Sequence, residues 1–274
     1  MSSILTNSSA MVALQTLKGI NKDLSGVQNE VATGLKVATA KDNAATWSIA
    51  STMKSDVAIF DKLTENLDKA DAMIGVARSA TEKVAELVTE IQTKMTQAAG
   101  ATSAEQTTLG NEIQALADTI TSIAQSSQFN GVNMVGASGS SQSVTMAVIR
   151  DGAGDITAVD VMTVSAVDLE AVASALTGLT VDGSQTSLDA INTELNTVNE
   201  AAAAFGASQA RIDAQREYLQ SQSDALTNGV SALVDADMEA ASARLTALQT
   251  QQQLGTQALS IANQSPQAIL SLFG

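Results

Sequence analysis

The chain has 274 residues, 45% of them apolar, which suffices for one or two domains with a real core, yet aromatic residues make up only 2% and there is one proline. That balance excludes a rounded core built on large rings. It favours long helices packed side by side, because alanine is the best helix former and its small side chain lets helix axes approach closely. Cysteine and histidine are absent and the formal net charge is -15, which removes thiol nucleophiles, disulfides, the usual zinc sites, the commonest general base and the clustered cations of a nucleic-acid surface.

Residues 1–17 carry no charge, Lys18 being the first ionised side chain. Ala10, Leu17, Leu24 and Val31 recur in seven-residue steps, interleaved with Ala13, Ile20, Val27 and Gly34, which predicts a helix that Gly34 ends. A second heptad takes Phe60, Leu67, Ile74, Thr81, Val88 and Met95 against Leu63, Ala70, Ala77, Val84, Ile91 and Ala98, and closes at Gly100. At 1.5 Å per residue such a helix is roughly 60 Å long. A third begins near Ser103, where Ser103 with Gln106 fits a capping box, and uses Leu109, Ile113, Leu116, Ile120 and Ile123 before "SSQFNGVNMV" turns the chain.

Residues 136–187 change character, being rich in Gly, Ser, Thr and Val, with "DGAGD" as a turn between two strand-like runs. They predict a small β-hairpin followed by a short helix over 169–176. A fourth heptad then steps through Ile191, Val198, Phe205, Ile212, Leu219, Leu226 and Leu233, with Leu188, Leu195, Ala202 and Val230 on the companion positions. Asp235 in "LVDADMEAAS" is a candidate cap for a last helix. Residues 245–274 again contain no Asp, Glu, Lys or Arg. They are too rich in Gln, Ser, Thr and Asn for lipid and too apolar for a solvated tail.

The fold class expected is mainly α: a long antiparallel helical hairpin or bundle with terminal coiled-coil helices and a small β-rich insertion. Its core is predicted at Leu67, Ile74, Val84, Val88, Ile91, Leu116, Ile120, Ile191, Val198, Phe205, Ile212 and Leu219. Paired carboxylates are the only catalytic raw material, at Asp42, Asp151, Asp155, Asp235 and Asp237, and helix caps and turns explain each more simply. "DGAGD" lacks the ligand spacing of a calcium loop, no glycine-rich loop forms a phosphate cradle, and no catalytic residue, metal or cofactor is expected. Neither a cleaved secretory signal nor an apolar run of about twenty residues is expected, so no membrane partner follows. A chain without cysteine suits the cytosol, and equally suits passage unfolded into an oxidising exterior. Two helices alone cannot bury all their apolar faces, so neutral, amphipathic ends call for neighbours.

Five motifs resemble those of bacterial flagellins. "ATGLKVATAKDNAATWSIAS" at 32–51 resembles the family's S-S-G-L-R-I-N-S-A-K-D-D-A-A-G, and "SQFNG" at 127–131 is similar to T-Q-F-N-G. "FGASQARID" at 205–213 resembles L-G-A-x-Q-N-R, "LVDADMEAAS" resembles R-I-x-D-A-D-M-A-x-E, and "IANQSPQAILSLFG" resembles A-N-Q-x-P-Q-x-x-L-x-L-L. The resemblance implies a structural subunit, not an enzyme, that self-assembles into the extracellular flagellar filament for swimming. A hook-filament junction protein is the alternative within the family. It implies a layered plan: 1–45 and 234–274 as the two halves of an inner, channel-lining helical domain, 46–135 and 188–233 as the helical bundle, and 136–187 as a β-rich outer insertion.

The partners it implies are other copies, the flagellar export apparatus, an export chaperone, and hook-associated junction and cap proteins; export recognition would fall around 26–47. Subunit contacts are expected at Leu14, Leu17, Leu24, Val31, Leu245, Leu248, Leu259, Ile269, Leu272 and Phe273. Two departures stand out: Glu30-Val31 replaces the family's R-L, and Thr46-Trp47 replaces its G-L. The family segment L-Q-R-V-R-E-L, whose arginine takes part in binding an animal flagellin receptor, corresponds to 88–94. Neither arginine stands there, so weak activation in a receptor reporter assay is expected.

Overall fold

The structure, a computed structural model, describes residues 7–151 and 155–270 and is mainly helical. Helix α1 (Ser8–Thr33) starts at Asn7, whose side chain accepts from the Ala10 N–H at 3.1 Å, and closes where the Gly34 N–H reaches the Glu30 carbonyl. Helix α2 (Ala44–Ala98) starts at Asn43, whose Oδ1 accepts from the Thr46 N–H. The start of α3 (Ser103–Ser126) corrects the sequence reading by one residue. Its capping box is Thr102 with Glu105, the Glu105 carboxylate accepting from the Thr102 N–H at 2.7 Å. A carboxylate is the stronger acceptor and suits the positive end of the helix dipole, and Gln106 donates instead to the Ala98 carbonyl.

Strands β1 (Gln128–Phe129) and β2 (Val132–Asn133) form a tight hairpin around Asn130 and Gly131, with φ of 49° and 80°. Two consecutive positive φ values are what a primed two-residue turn requires, and Asn-Gly supplies them at least strain. Strands β3 (Gln142–Arg150) and β4 (Ile156–Val164) pair antiparallel, with irregularities after Thr145 and Ile149. Of the predicted "DGAGD" turn, residues 152–154 lie outside the described residues. Asp151 and Asp155 flank it, each donating its N–H to an oxygen of the other at 2.9 Å. Then come α4 (Leu169–Thr177), capped by Asp168, α5 (Gln185–Val234) and α6 (Met238–Leu270).

The chain divides into two compact units, Met1–Val57 with Asp224–Gly274, and Ala58–Ser223. In the second unit Leu67, Ile74, Val84, Val88, Ile91, Ile120, Ile191, Val198 and Ile212 are wholly buried, Phe205 and Leu219 nearly so, and Leu116 is half-buried at the margin of the same cluster. Val144, Met146, Met162 and Val164 of the β-hairpin belong to that cluster as well. Gln215 Nε2 donates to the Met146 carbonyl at 3.0 Å, tying β3 to α5. Side-chain bonds Asp68 to Arg216, Asp71 to Gln209 and Gln92 to Asn192 show α2 and α5 running antiparallel there.

Of the heptad read through α5, the row of Leu226 and Leu233 does not hold to its end, while Val230 of the companion row is buried as expected. After Leu219 the buried positions are Ser223, Val230 and Val234, while Leu226 is half-buried and Leu233 is 37% exposed. The steps are four, seven and four residues. A straight helix of 3.6 residues per turn drifts about 20° per heptad off a strict seven-residue repeat, and a four-residue step restores the seam.

Candidate assembly surface

The first unit is built on α1 and α6, which run antiparallel. Asn7 Nδ2 donates to the Ala262 carbonyl at 2.7 Å near one end, and Gln252 Nε2 donates to Asn21 Oδ1 at 2.6 Å farther along. Gly255 lets the helices close on each other: a Cβ there would stand 3.2 Å from Leu17 Cδ1. The far end is fastened by backbone. Val234 O accepts from the Lys36 and Val37 N–H groups, Gly34 O accepts from the Ala236 N–H, and Leu35 bridges Asp235. Val37, Ala50, Val230 and Val234 form a small buried cluster beside it, with Leu35 and Met53 against them.

This fastening displaces the helix cap. Asp235, the candidate from sequence, is committed to the bridge, and α6 is capped by Asp237, whose Oδ1 accepts from the Glu239 and Ala240 N–H groups at 3.0 and 3.1 Å. Asp42 accepts from the Thr39 N–H and hydroxyl at 2.9 and 3.0 Å, and the backbone bond, the larger cause, holds its carboxyl below the ordinary value. Of the acidic residues singled out from sequence, Asp42, Asp151 and Asp237 accept from nearby backbone N–H groups through their side chains, while Asp155 and Asp235 are held through their own backbone. Among the described residues no group of three or more acidic side chains is placed to hold a metal ion, and no helix is long and apolar enough to cross a membrane.

The terminal faces are only partly covered. Along α1 Leu24 alone is buried, Leu17 and Val31 are half-buried, and Leu14 is 43% exposed. On α6 Leu245, Leu248 and Leu259 are half-buried. Leu272 and Phe273 lie outside the described residues, as does the side chain of Ile269. The structure also exposes apolar residues that the expected subunit contacts did not include: Met11, Val12, Leu254 and Ile261, all between 63% and 65% exposed. They sit off the seam shared by α1 and α6. A helix with apolar residues on a second face needs a second partner. Fully burying one such side chain is worth about 1.5–3 kcal/mol, so four of them constitute a substantial driving force for association.

Residues 4–141 match the bacterial flagellin N-terminal helical region, and residues 188–273 match the bacterial flagellin C-terminal helical region. A flagellin of Brucella melitensis is 41% identical over 282 residues, covering 100% of this chain and 99% of its own length. Flagellin FljK of Caulobacter vibrioides is 35% identical over 275 residues with the same coverage. The crystal structure of Bacillus cereus flagellin superposes with a TM-score of 0.48 at 21% identity, over 57% of this chain and 88% of that one.

Proposed function

The chain belongs to the bacterial flagellin family, and from that premise we propose that it is a structural subunit of the extracellular flagellar filament, self-assembling with copies of itself to serve swimming motility. Its work is mechanical. The observation that carries this reading is the pair α1 and α6, charge-free through residues 1–17 and 245–274 and apolar on faces that the pair itself leaves open. Copies stacked head to tail with a rotation that never closes give a helical filament.

Within that assembly Leu14, Leu17, Leu24, Val31, Leu245, Leu248, Leu259, Ile269, Leu272 and Phe273 are the subunit contacts, shared between the α1 and α6 pairing and neighbouring copies. Residues 1–45 and 234–274 line the channel, 46–135 and 188–233 supply the bundle, and 136–187 is the outer insertion. Before assembly the chain passes the flagellar export apparatus, with a chaperone on its C-terminal segment, and it meets junction and cap proteins at the filament's two ends. Charge explains the division. An ion in a wall of identical copies faces its own image and loses water, whereas neutral Gln, Ser and Asn can still pair with neighbouring helices or face a wet channel. Residues 1–57 and 224–274 hold six Lys and Arg against eight Asp and Glu, while 58–223 hold eight against twenty-one.

Deleting residues 245–274 tests the reading. The expected product is a soluble monomer whose second unit retains its helical circular dichroism and melting transition but forms no filaments. Filaments of ordinary appearance in electron micrographs of the truncated protein would refute the role given to the C-terminal helix.

A further inference from the structure

The methionines of the chain divide by exposure. Met95, Met134, Met146 and Met162 lie in the core of the second unit, none more than 5% exposed, and Met53 and Met73 are half-buried. Met11, near the start of α1, is 65% exposed, and Met238, the first residue of α6, is 43% exposed. Met1 lies outside the described residues. Cysteine is absent, so no thiolate competes for a two-electron oxidant, and the accessible thioethers are the groups on which such an oxidant acts first.

Met11 stands in the charge-free stretch 1–17, with Val12 beside it 64% exposed, and its N–H donates to the Asn7 carbonyl at 3.1 Å within the first turn of the helix. Its thioether is therefore open to solvent while its backbone is held. A hydroperoxide transfers its terminal oxygen to such a sulfur. A sulfur lone pair attacks that oxygen, the O–O bond breaks, and the proton of the transferred hydroxyl passes to the departing oxygen, which leaves as water or an alcohol. Sulfur is oxidised by two electrons and the peroxide is reduced by two. The sulfoxide is polar and accepts hydrogen bonds, so on an otherwise apolar face it resists being covered, because covering strips its water. We propose that Met11 is the residue at which hydroperoxides act on the unassembled chain, and that its sulfoxide keeps a copy out of the filament until it is reduced. The assignment rests on the self-assembly reading and adds to it a chemical control over which copies assemble.

Limited treatment of the purified full-length monomer with hydrogen peroxide, followed by peptide fragmentation in the mass spectrometer and by seeded polymerisation, tests it. The added oxygen should appear on Met11 ahead of Met238, with Met95, Met134, Met146 and Met162 unmodified. The oxidised protein should polymerise only above a critical concentration raised roughly tenfold, with the melting transition of the second unit unchanged, and methionine sulfoxide reductase should restore the untreated value. Met11→Leu, which keeps an apolar side chain without sulfur, should polymerise equally well before and after peroxide. Met11→Gln, polar and of similar length, should reproduce the defect without any oxidant. Oxygen found first on Met238 or on a core methionine, an oxidised protein or a Met11→Gln protein that polymerises at the wild-type concentration, or a Met11→Leu protein that peroxide still excludes would each overturn the proposal while leaving self-assembly intact. An untreated wild-type chain that never polymerises overturns the self-assembly reading, and the control at Met11 with it.

Discussion

Gly183 and Gly206 show how one residue type carries opposite consequences. Gly183 has φ of 63°, and a Cβ there would overlap the backbone nitrogen and Cα of Ala99. The loop it belongs to is otherwise fixed, since the Ser187 hydroxyl donates to the Thr180 carbonyl at 3.0 Å and Asp182 accepts from the Ser184 N–H at 2.9 Å. Gly183→Ala therefore adds backbone strain to a clash with main chain that no rotamer change relieves. It should destabilise the second unit by more than about 2 kcal/mol, lowering its melting temperature by roughly 4–8 °C. Gly206 stands inside α5 with nothing within 4 Å of where a Cβ would go. Gly206→Ala should stabilise by about 0.5–1 kcal/mol, because the helix loses a conformationally free residue at no steric cost. Denaturation of both variants checks the signs; two changes of the same sign would contradict the local geometry. Sequence places Gly206 inside the fourth heptad and Gly183 in the link before it, but the clash that sets the cost at Gly183 comes from the distant Ala99. Caps are legible to within a residue or two for the same reason. Thr102 and Asp237 replace Ser103 and Asp235 as caps because a carboxylate acceptor at Glu105 and a backbone bridge at Leu35 decide the boundary.

At the level of elements, heptads are readable where a helix packs along one continuous seam and fail where the seam changes. The second heptad reads directly onto α2, with Leu67, Ile74, Val84, Val88 and Ile91 all wholly buried. Along α5 the four-residue steps after Leu219 and Val230 follow from the pitch of a straight helix, and a strict count of seven cannot anticipate them. The exposed face of α2 offers its own test. Glu65 accepts from Lys62 at 2.7 Å and from Lys69 at 2.9 Å, and these bonds, the one from Lys62 foremost, lower its carboxyl from 4.5 to about 2. A depressed acid contributes stability that is fully present above 4.5 and is lost as pH falls through about 2. Being solvent-exposed, the pair is screened by salt and its contribution is small. Replacing Lys62 and Lys69 by Gln should return the Glu65 carboxyl to its ordinary range in a carbon-detected NMR titration. A midpoint still near 2 in that variant would mean that the lysines are not its cause.

On the scale of the whole molecule, burial is divided unequally, and that inequality predicts where the monomer opens. Among the described residues the main core cluster holds thirty-one buried residues, all within 58–223, whereas the cluster of the other unit holds four. Helix α1 buries one side chain in 26 residues, and α6 leaves Leu254 and Ile261 more than 60% exposed. In proteins most helical stability comes from packing an apolar face, which α1 and α6 do only in part within one copy. Opening of α1 and α6 in the monomer thus costs little, while α2, α3 and α5 within the second unit open only with its core. Assembly changes the first cost and not the second. Burying Met11, Val12, Leu254 and Ile261 against neighbouring copies adds about 1.5–3 kcal/mol per side chain, enough to slow exchange in those helices by several orders of magnitude. Hydrogen exchange read by mass spectrometry on monomer and filament should therefore show amides of 8–33 and 238–262 exchanging fast in the monomer and protected in the filament, with the helical amides of 63–95 and 191–219 protected in both. Terminal helices equally protected in the two states would mean that the α1 and α6 pair is already complete in one copy, and that neutral, apolar ends do not mark the surface on which copies meet.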